Sequence, residues 1–236
     1  MKSRIIQREP DPAPAPSAEP EADVPAGGHR KTWLRRWLFL VAVAGYIVLG
    51  LVHPADLKVG DDTTLYLWIH IVQPILILLL AWGLWLLVED LPGRAAQAAR
   101  LAIVPYAIAY ATLDAVAGIA TGMVVREANR MSAAEGAIVQ RVWDDADAVT
   151  NAFSAGVYLA AGVAWLTAAV AVAVAIKQVG GLGPTLLMAI GAAVFAVGHP
   201  FPPGPIGIAL FGLGVAWLEV RRHAATAPAA QPVLAP

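Results

Sequence analysis

The stretch LYLWIHIVQPILILLLAWGLWLLV, residues 65–88, decides the fold because it is long and apolar enough to cross a lipid bilayer as one helix. A spanning helix needs about 20 mainly apolar residues, each rising 1.5 Å, to cross about 30 Å of hydrocarbon. The same stretch carries His70, Gln73 and Pro74 near its start. The sequence therefore predicts a membrane helix with polar groups built into it.

The composition of the whole chain agrees with a place in lipid. Of its 236 residues, 58% are hydrophobic and only 14% are charged, which lies outside the usual balance of soluble globular domains. The net charge of -1 gives no reason to expect a nucleic-acid partner. Because the chain has no cysteine, disulfides, thiolate metal sites and thiol nucleophiles are excluded.

Six apolar segments predict an all-α, polytopic membrane bundle with six transmembrane helices. The segments cover residues of about 34–52, 65–88, 101–125, 150–176, 184–199 and 205–220. The last two are short, so a re-entrant pair is an alternative to two full crossings. Proline-rich residues 1–32 and the Ala/Pro-rich residues 223–236 predict disordered tails on both sides of the bundle.

Basic residues beside the spans predict the orientation. Twelve of the 16 Lys and Arg residues fall on the side of the N-terminus when the six spans alternate. Cytoplasmic loops carry the excess of Lys and Arg, so both termini are expected in the cytoplasm, in a plasma or inner membrane. At the cytoplasmic end, RKTWLRR is expected to anchor the first span on anionic lipid, and Glu219 to pair with Arg221 and Arg222.

The longest loop, on the predicted outer side, contains the signature of a surface helix over residues of about 132–146. Ser132 and Glu135 have capping-box spacing, and Met131, Ile138 and Val142 repeat at helical intervals. We expect an amphipathic helix here that can continue into the fourth span.

Polar side chains within spans two and three fall on single helix faces. In span two, His70 and Gln73 share a face, and Pro74 lacks the amide hydrogen that would bond the His70 carbonyl. In span three, Tyr110 and Asp114 share a face, and Asp114 lies close to the bilayer midplane. A carboxylate at that depth is costly, so Asp114 is expected to face the bundle interior, protonated or paired.

Span four begins with Asn151, Ser154 and Tyr158 at helical spacing, again in the predicted outer half. Polar residues from several spans therefore converge on one leaflet. This pattern predicts an outward-facing polar cavity that binds a small ligand, proton or ion, as in a transporter or a sensor. The expected ligand or proton site consists of Asp114, His70, Gln73, Tyr110, Asn151, Ser154 and Tyr158.

An enzyme at the outer membrane surface is one alternative. His53, His70 and His199 are weak metal-ligand candidates, because no HxxxH or HExxH spacing places two ligands on one helix. Ser154 in NAFSAG resembles the nucleophile of rhomboid-type intramembrane serine proteases in its place near the outer end of span four. That family's GxSG reads FSAG here, and the last span has no histidine.

A non-catalytic subunit of a membrane complex is the other alternative, in which the polar stripes only join helices. The sequence implies no cofactor firmly, leaves a metal open, and favours a non-enzymatic role. The expected partners are the lipid bilayer, a second copy of the chain, or another membrane subunit.

Overall fold

The computed structural model describes the backbone of residues 27–54, 57–198 and 203–226. Side chains are described for residues 33–54, 57–145, 156–198 and 203–224. Within these ranges the chain is all-helical. Most of the two predicted tails lies outside the described residues.

Seven α-helices and one π-helical segment make up the described part of the chain. They are α1 (Gly27–Val52), α2 (Thr64–Val88), α3 (Arg94–Leu113), the π segment (Asp114–Ala120), α4 (Thr121–Ala128), α5 (Ala133–Gly180), α6 (Leu182–Gly198) and α7 (Pro203–Thr226). The first helix begins inside the predicted N-terminal tail and the last ends inside the predicted C-terminal tail. Both helices extend beyond their apolar stretches because HRKT and RRHAAT contain no helix-breaking residue.

Five of these helical stretches are long and apolar enough to cross a membrane, so the chain is a helical membrane protein. They are Trp33–Val52, Thr64–Val88, Arg94–Ala128, Gly156–Gly180 and Pro203–Ala224. The sixth apolar helix, α6, has 17 residues and is shorter than the others.

The surface helix expected over about 132–146 and the fourth span form one helix, α5, of 48 residues. The capping box at its start is confirmed. The Ser132 side chain accepts from the Glu135 backbone, and the Glu135 carboxylate accepts from the Ser132 backbone at 2.9 Å. The Ser132 hydroxyl also donates to the Glu135 carboxylate at 2.7 Å, and this bond, with that from the Ser132 backbone, lowers the pKa of Glu135.

The helices pack as a closed ring in the order α1, α2, α3, α5, α6, α7, and α7 returns to α1. Large aromatic side chains fill the middle of this ring. Trp165 is fully buried, and its ring centroid lies 5.1 to 5.3 Å from those of Tyr106, Phe195 and Phe211. Its indole nitrogen donates to the Ala192 carbonyl at 2.9 Å, so the buried polar atom is satisfied.

The two ends of the bundle differ in what they contain. The α1–α2 end contains the connection from α1 to α2 and the start of α5. The α2–α3 end contains the turn between those helices, the start of α1 and the end of α7. At the α2–α3 end, the Arg100 guanidinium donates to the carbonyls of Val88, Glu89 and Leu91 at 2.8 to 3.3 Å. The Val88 carbonyl, at the end of α2, also accepts from the Leu91 backbone at 3.2 Å, so Arg100 adds a side-chain donor to the backbone acceptors of this turn.

Candidate functional site

A continuous line of hydrogen bonds joins the end of α1, the second helix and the π segment. His53 Nδ1 lies 2.7 Å from the Pro54 carbonyl oxygen, and His53 Nε2 lies 3.1 Å from His70 Nε2. His70 Nδ1 in turn lies 2.9 Å from Asp114 Oδ1. We call His53, His70 and Asp114 the histidine cluster; all three are buried, with exposed fractions of 8%, 7% and 3%.

The backbone around Asp114 is shaped to admit the His70 ring. A Cβ atom at Gly118 would lie 2.2 Å from the imidazole, so any larger residue there would displace it. Asp114 is the first residue of the π segment, and π turns in helices occur frequently at functional sites. The close approach of α2 to this segment thus depends on the absence of a side chain at Gly118 and on the local change from an α-helix to a π-helix.

The Tyr66 ring packs against both imidazole rings of the histidine cluster. Its ring centroid lies 4.5 Å from that of His70 and 5.7 Å from that of His53. Its hydroxyl donates to the Ala117 carbonyl at 2.8 Å, within the π segment. Tyr66 therefore fixes both imidazoles and the π segment at once.

The acceptors in this line determine where its protons lie. A carbonyl only accepts, so His53 Nδ1 carries the hydrogen that bonds Pro54. A neutral His53 then has a bare Nε2, and His70 Nε2 must donate to it. The third proton lies between His70 Nδ1 and Asp114 Oδ1, on either atom. Three protons satisfy three hydrogen bonds, and the resulting cluster has no net charge.

Burial supports this arrangement of protons. It lowers the pKa of the His53 imidazole from the ordinary 6.5, and the nearby His70 lowers it further, whereas the hydrogen bond to Pro54 raises it. The neutral form of His53 is therefore favoured. Asp114 Oδ2 is buried without a hydrogen-bond partner among the described residues. Among the described residues, Tyr46, Tyr66, Tyr106 and Tyr110 interact electrostatically with Asp114.

The structure brings several of the predicted site residues together. His70 and Asp114 are in contact, Gln73 is buried one turn further along α2, and Tyr110 is buried one turn before Asp114. Tyr158 is half exposed, on α5, within range of electrostatic interaction with Tyr110. The side chains of Asn151 and Ser154, and all of His199, lie outside the described residues.

Some residues of this region were missed or given another role by sequence reasoning. His53 was predicted only as a weak metal ligand, yet it contributes directly to the hydrogen-bonded line. Tyr46 was not predicted at all, although a tyrosine within the apolar stretch VAGYIVLG was a usable signal. Its side chain is buried in the bundle core, where it interacts electrostatically with Tyr106.

The space beside the histidine cluster is small. A cavity of about 10 Å³ is lined by Tyr46, His53, Gln73 and Phe195, among others. This volume is close to the minimum for one water molecule. Below it, toward the α2–α3 end, the aromatic rings around Trp165 fill the bundle.

The described ranges contain no group of three or more His, Asp or Glu residues that could hold a metal ion. His53 and His70 present two nitrogen atoms 3.1 Å apart, and His199 is not described. The metal prediction therefore rests on two ligands that the structure places together.

Comparison with known proteins gives no family for this arrangement. The chain matches no protein-family model, no curated protein and no solved structure.

Proposed function

We propose that the protein binds and releases a proton at the histidine cluster and acts as a proton-responsive membrane protein of the sensor type. The observation that carries this proposal is the uninterrupted line from the Pro54 carbonyl through His53 and His70 to Asp114. Imidazole is the side chain whose ordinary pKa lies closest to neutrality, and a carboxylate beside it provides a second proton acceptor. A proton can move along this line without a large displacement of any atom.

The size of the adjoining cavity favours a proton over a larger ligand. About 10 Å³ admits one water molecule, which can carry a proton to His53. An organic ligand would need a pocket of about 300 Å³ or more. Among the ligands expected from the sequence, the proton is the one that the space beside the histidine cluster accommodates without rearrangement.

The aromatic core favours binding over conduction. Trp165, Phe195 and Phe211 pack against one another in the middle of the bundle, with no carboxylate or imidazole among them. A proton at His70 therefore has a polar route to the α1–α2 end and an apolar barrier toward the other end. This arrangement supports uptake and release on one side of the membrane.

The proposed orientation places the histidine cluster on the extracytoplasmic side of a plasma or inner membrane, with both termini in the cytoplasm. It is supported by the distribution of basic residues beside the spans. Lipid would then cover the many exposed apolar side chains, such as Leu78, Leu159 and Leu213. A second copy or another membrane subunit belongs to the assembly alternative, which co-purification from native membranes tests.

Nitrogen NMR of the protein labelled with ¹⁵N-histidine tests the proton-binding proposal. The spectra of His53→Gln and His70→Gln variants assign the ring signals, and His223→Gln, at the opposite end of the bundle, provides the control. We expect His53 to be neutral at pH 7 with its hydrogen on Nδ1. A His53 ring with its hydrogen on Nε2 alone, or one that carries both hydrogens at pH 7, would contradict the proposal.

Reconstitution into sealed vesicles with a trapped pH-sensitive dye tests one-sided binding. An acid jump outside the vesicles should change tryptophan fluorescence but should not acidify the interior faster than in empty vesicles. Rapid acidification that Asp114→Asn abolishes would show a conducting path and overturn the sensor assignment.

A metal centre is a second candidate, because one observation favours it. The two Nε2 atoms lie 3.1 Å apart, and Asp114 holds His70 from behind, as carboxylates do behind metal-bound histidines. Elemental analysis of the purified protein separates the candidates. A stoichiometric transition metal that disappears in His53→Gln would support a metal centre and contradict the shared proton.

A further inference from the structure

A second polar cluster lies at the α2–α3 end of the bundle, where the first and last helices meet. The Glu219 carboxylate on α7 lies 2.8 Å from the Arg35 guanidinium on α1. Arg36 and Arg222 approach the same carboxylate at 3.4 Å and 3.6 Å. We call these four residues the arginine cluster. The predicted partner Arg221 instead donates to the Gly180 carbonyl at 3.0 Å, so that part of the expectation is wrong.

The arginine cluster has more positive than negative charge. Among the described residues, three guanidinium groups surround one carboxylate, and arginine does not lose its proton in proteins. The side chains of Glu219 and Arg35 are only 8% and 13% exposed, so solvent screens the excess weakly at the centre of the cluster. Such an excess favours the binding of an anion.

Exposure within the cluster shows where an anion can reach it. The side chains of Arg36 and Arg222 are 48% and 22% exposed, so both are open to the surroundings, whereas Arg35 is held against Glu219. Guanidinium groups present a planar fork of donors that matches the oxygen atoms of a phosphate. The accessible part of the cluster is therefore suited to a phosphate group.

Tryptophans beside the cluster indicate that this phosphate belongs to a lipid. Trp33 and Trp37 are 62% and 47% exposed, and their rings contact each other at 5.9 Å on the first turns of the α1 span. Trp217, 47% exposed, lies two residues before Glu219 on α7. Exposed tryptophans at the ends of spanning helices lie at the level of the lipid headgroups. The cluster is thus at the depth where phospholipid phosphates are found.

We propose that the arginine cluster is a binding site for the phosphate group of an anionic phospholipid, which is held by Arg36 and Arg222 at the seam between α1 and α7. Glu219 orients Arg35 and keeps the two outer guanidinium groups close together. The headgroup supplies the negative charge that the cluster lacks.

Titration of purified protein in neutral detergent with short-chain phosphatidylglycerol tests this site, with phosphatidylcholine as the zwitterionic arm. Intrinsic tryptophan fluorescence reports the thermal unfolding midpoint, and its rise with lipid concentration gives an apparent Kd. We expect phosphatidylglycerol to bind more tightly than phosphatidylcholine. The Arg36→Gln/Arg222→Gln double variant should weaken phosphatidylglycerol binding about 25-fold, because each arginine contributes about fivefold.

The control is the Arg126→Gln/Arg130→Gln double variant, which removes the same charge from exposed positions at the other end of the bundle. It should bind phosphatidylglycerol as the unchanged protein does. An equal loss in this control would show general charge attraction and overturn the site. If the glutamine variant does not fold, Arg36→Lys/Arg222→Lys retains the charge without the fork, and it should bind several-fold more weakly than the unchanged protein.

Inorganic phosphate at constant ionic strength distinguishes the source of the anion. We expect it to leave the unfolding midpoint unchanged at concentrations where phosphatidylglycerol raises it. Stabilisation by inorganic phosphate equal to that by phosphatidylglycerol would overturn the assignment to a lipid.

Discussion

The histidine cluster and the arginine cluster lie at opposite ends of the same bundle, and each contains one buried carboxylate. Asp114 faces two imidazole rings, whereas Glu219 faces three guanidinium groups. Imidazole can release its proton near neutral pH, but guanidinium cannot. The histidine cluster can therefore become neutral by itself, and the arginine cluster needs an external anion.

This difference predicts that the two carboxylates contribute unequally to stability. Replacing Glu219 with Gln leaves Arg35 largely buried beside two further cations. We expect a loss of about 3 kcal/mol in the free energy of unfolding, as for removal of one partner from a buried ion pair. Unfolding in mixed detergent micelles measures the change.

Glu127→Gln is the matched control for Glu219→Gln. It removes a carboxylate that pairs with Arg130 at 2.9 Å, but both of these side chains are more than half exposed. Exposed pairs contribute about 0 to 1 kcal/mol, so the control should change stability little. Equal losses of stability in the two variants would mean that solvent screens the ion pairs of Glu219 to the same extent as it screens surface ion pairs.

Gly118→Ala should separate His70 from Asp114, because Gly118 lies against the His70 ring. The added methyl group would lie 2.2 Å from the His70 ring, which has to leave Asp114. Overpacking of this kind costs about 2 kcal/mol. The matched control is Gly156→Ala on α5, where no described atom outside the neighbouring residues and backbone of the same helix lies within 4 Å of the added methyl group. It should be neutral or raise stability slightly; a loss as large as that of Gly118→Ala would contradict the close fit.

Asp114→Asn should cost less, about 1 kcal/mol. The Asn amide can donate to His70 Nδ1, and His70 Nε2 can then donate to His53, so that all the hydrogen bonds of a neutral line persist. The same unfolding assay measures this change. A loss equal to that of Glu219→Gln would contradict the distinction between a cluster that neutralises itself and one that does not.

The smallest effect concerns pH. Burial lowers the pKa of His53 in the folded protein, so below the ordinary value of 6.5 the unfolded chain binds more protons than the folded one. The stability that neutral His53 contributes is present above this pH and is lost as the pH falls through the lowered pKa. The thermal unfolding midpoint should therefore fall on acidification, and it should fall less in His53→Gln. His223→Gln should behave as the unchanged protein; a steeper fall in His53→Gln would contradict the lowered pKa.

The spanning helices could be predicted because the apolar stretches match the bilayer thickness. Residues 65–88 were expected as a span, and α2 covers Thr64–Val88. The cost of a carboxylate in lipid was also sufficient to expect Asp114 in the interior, where it is 3% exposed. Both inferences depend only on whether a segment is apolar enough to lie in lipid, and the hydropathy of a single sequence contains that information.

The contacts within the site could not be predicted, because they depend on how separate helices rotate and shift against one another. The contact between His70 and the π segment is one example. The sequence shows that Gly118 is small, but it does not show that the His70 ring packs against this glycine. The pairing of Arg35 with Glu219 is another. The two residues are 184 positions apart, and Arg221 and Arg222 offered nearer partners. The spacing along α7 favoured Arg221 and Arg222 as partners of Glu219. In the structure, the closed ring of helices places α1 beside α7 and brings Arg35 to Glu219.

That closure has a consequence for biosynthesis. Arg35 is among the first residues of the bundle to reach the membrane, and Glu219 is among the last, so α1 must wait for nearly the whole chain to be translated before its ion pair can form. At about 5 to 20 residues per second, the delay is on the order of ten seconds or longer. Until then, the membrane itself, or the machinery that inserts the nascent chain, has to accommodate the unpaired guanidinium.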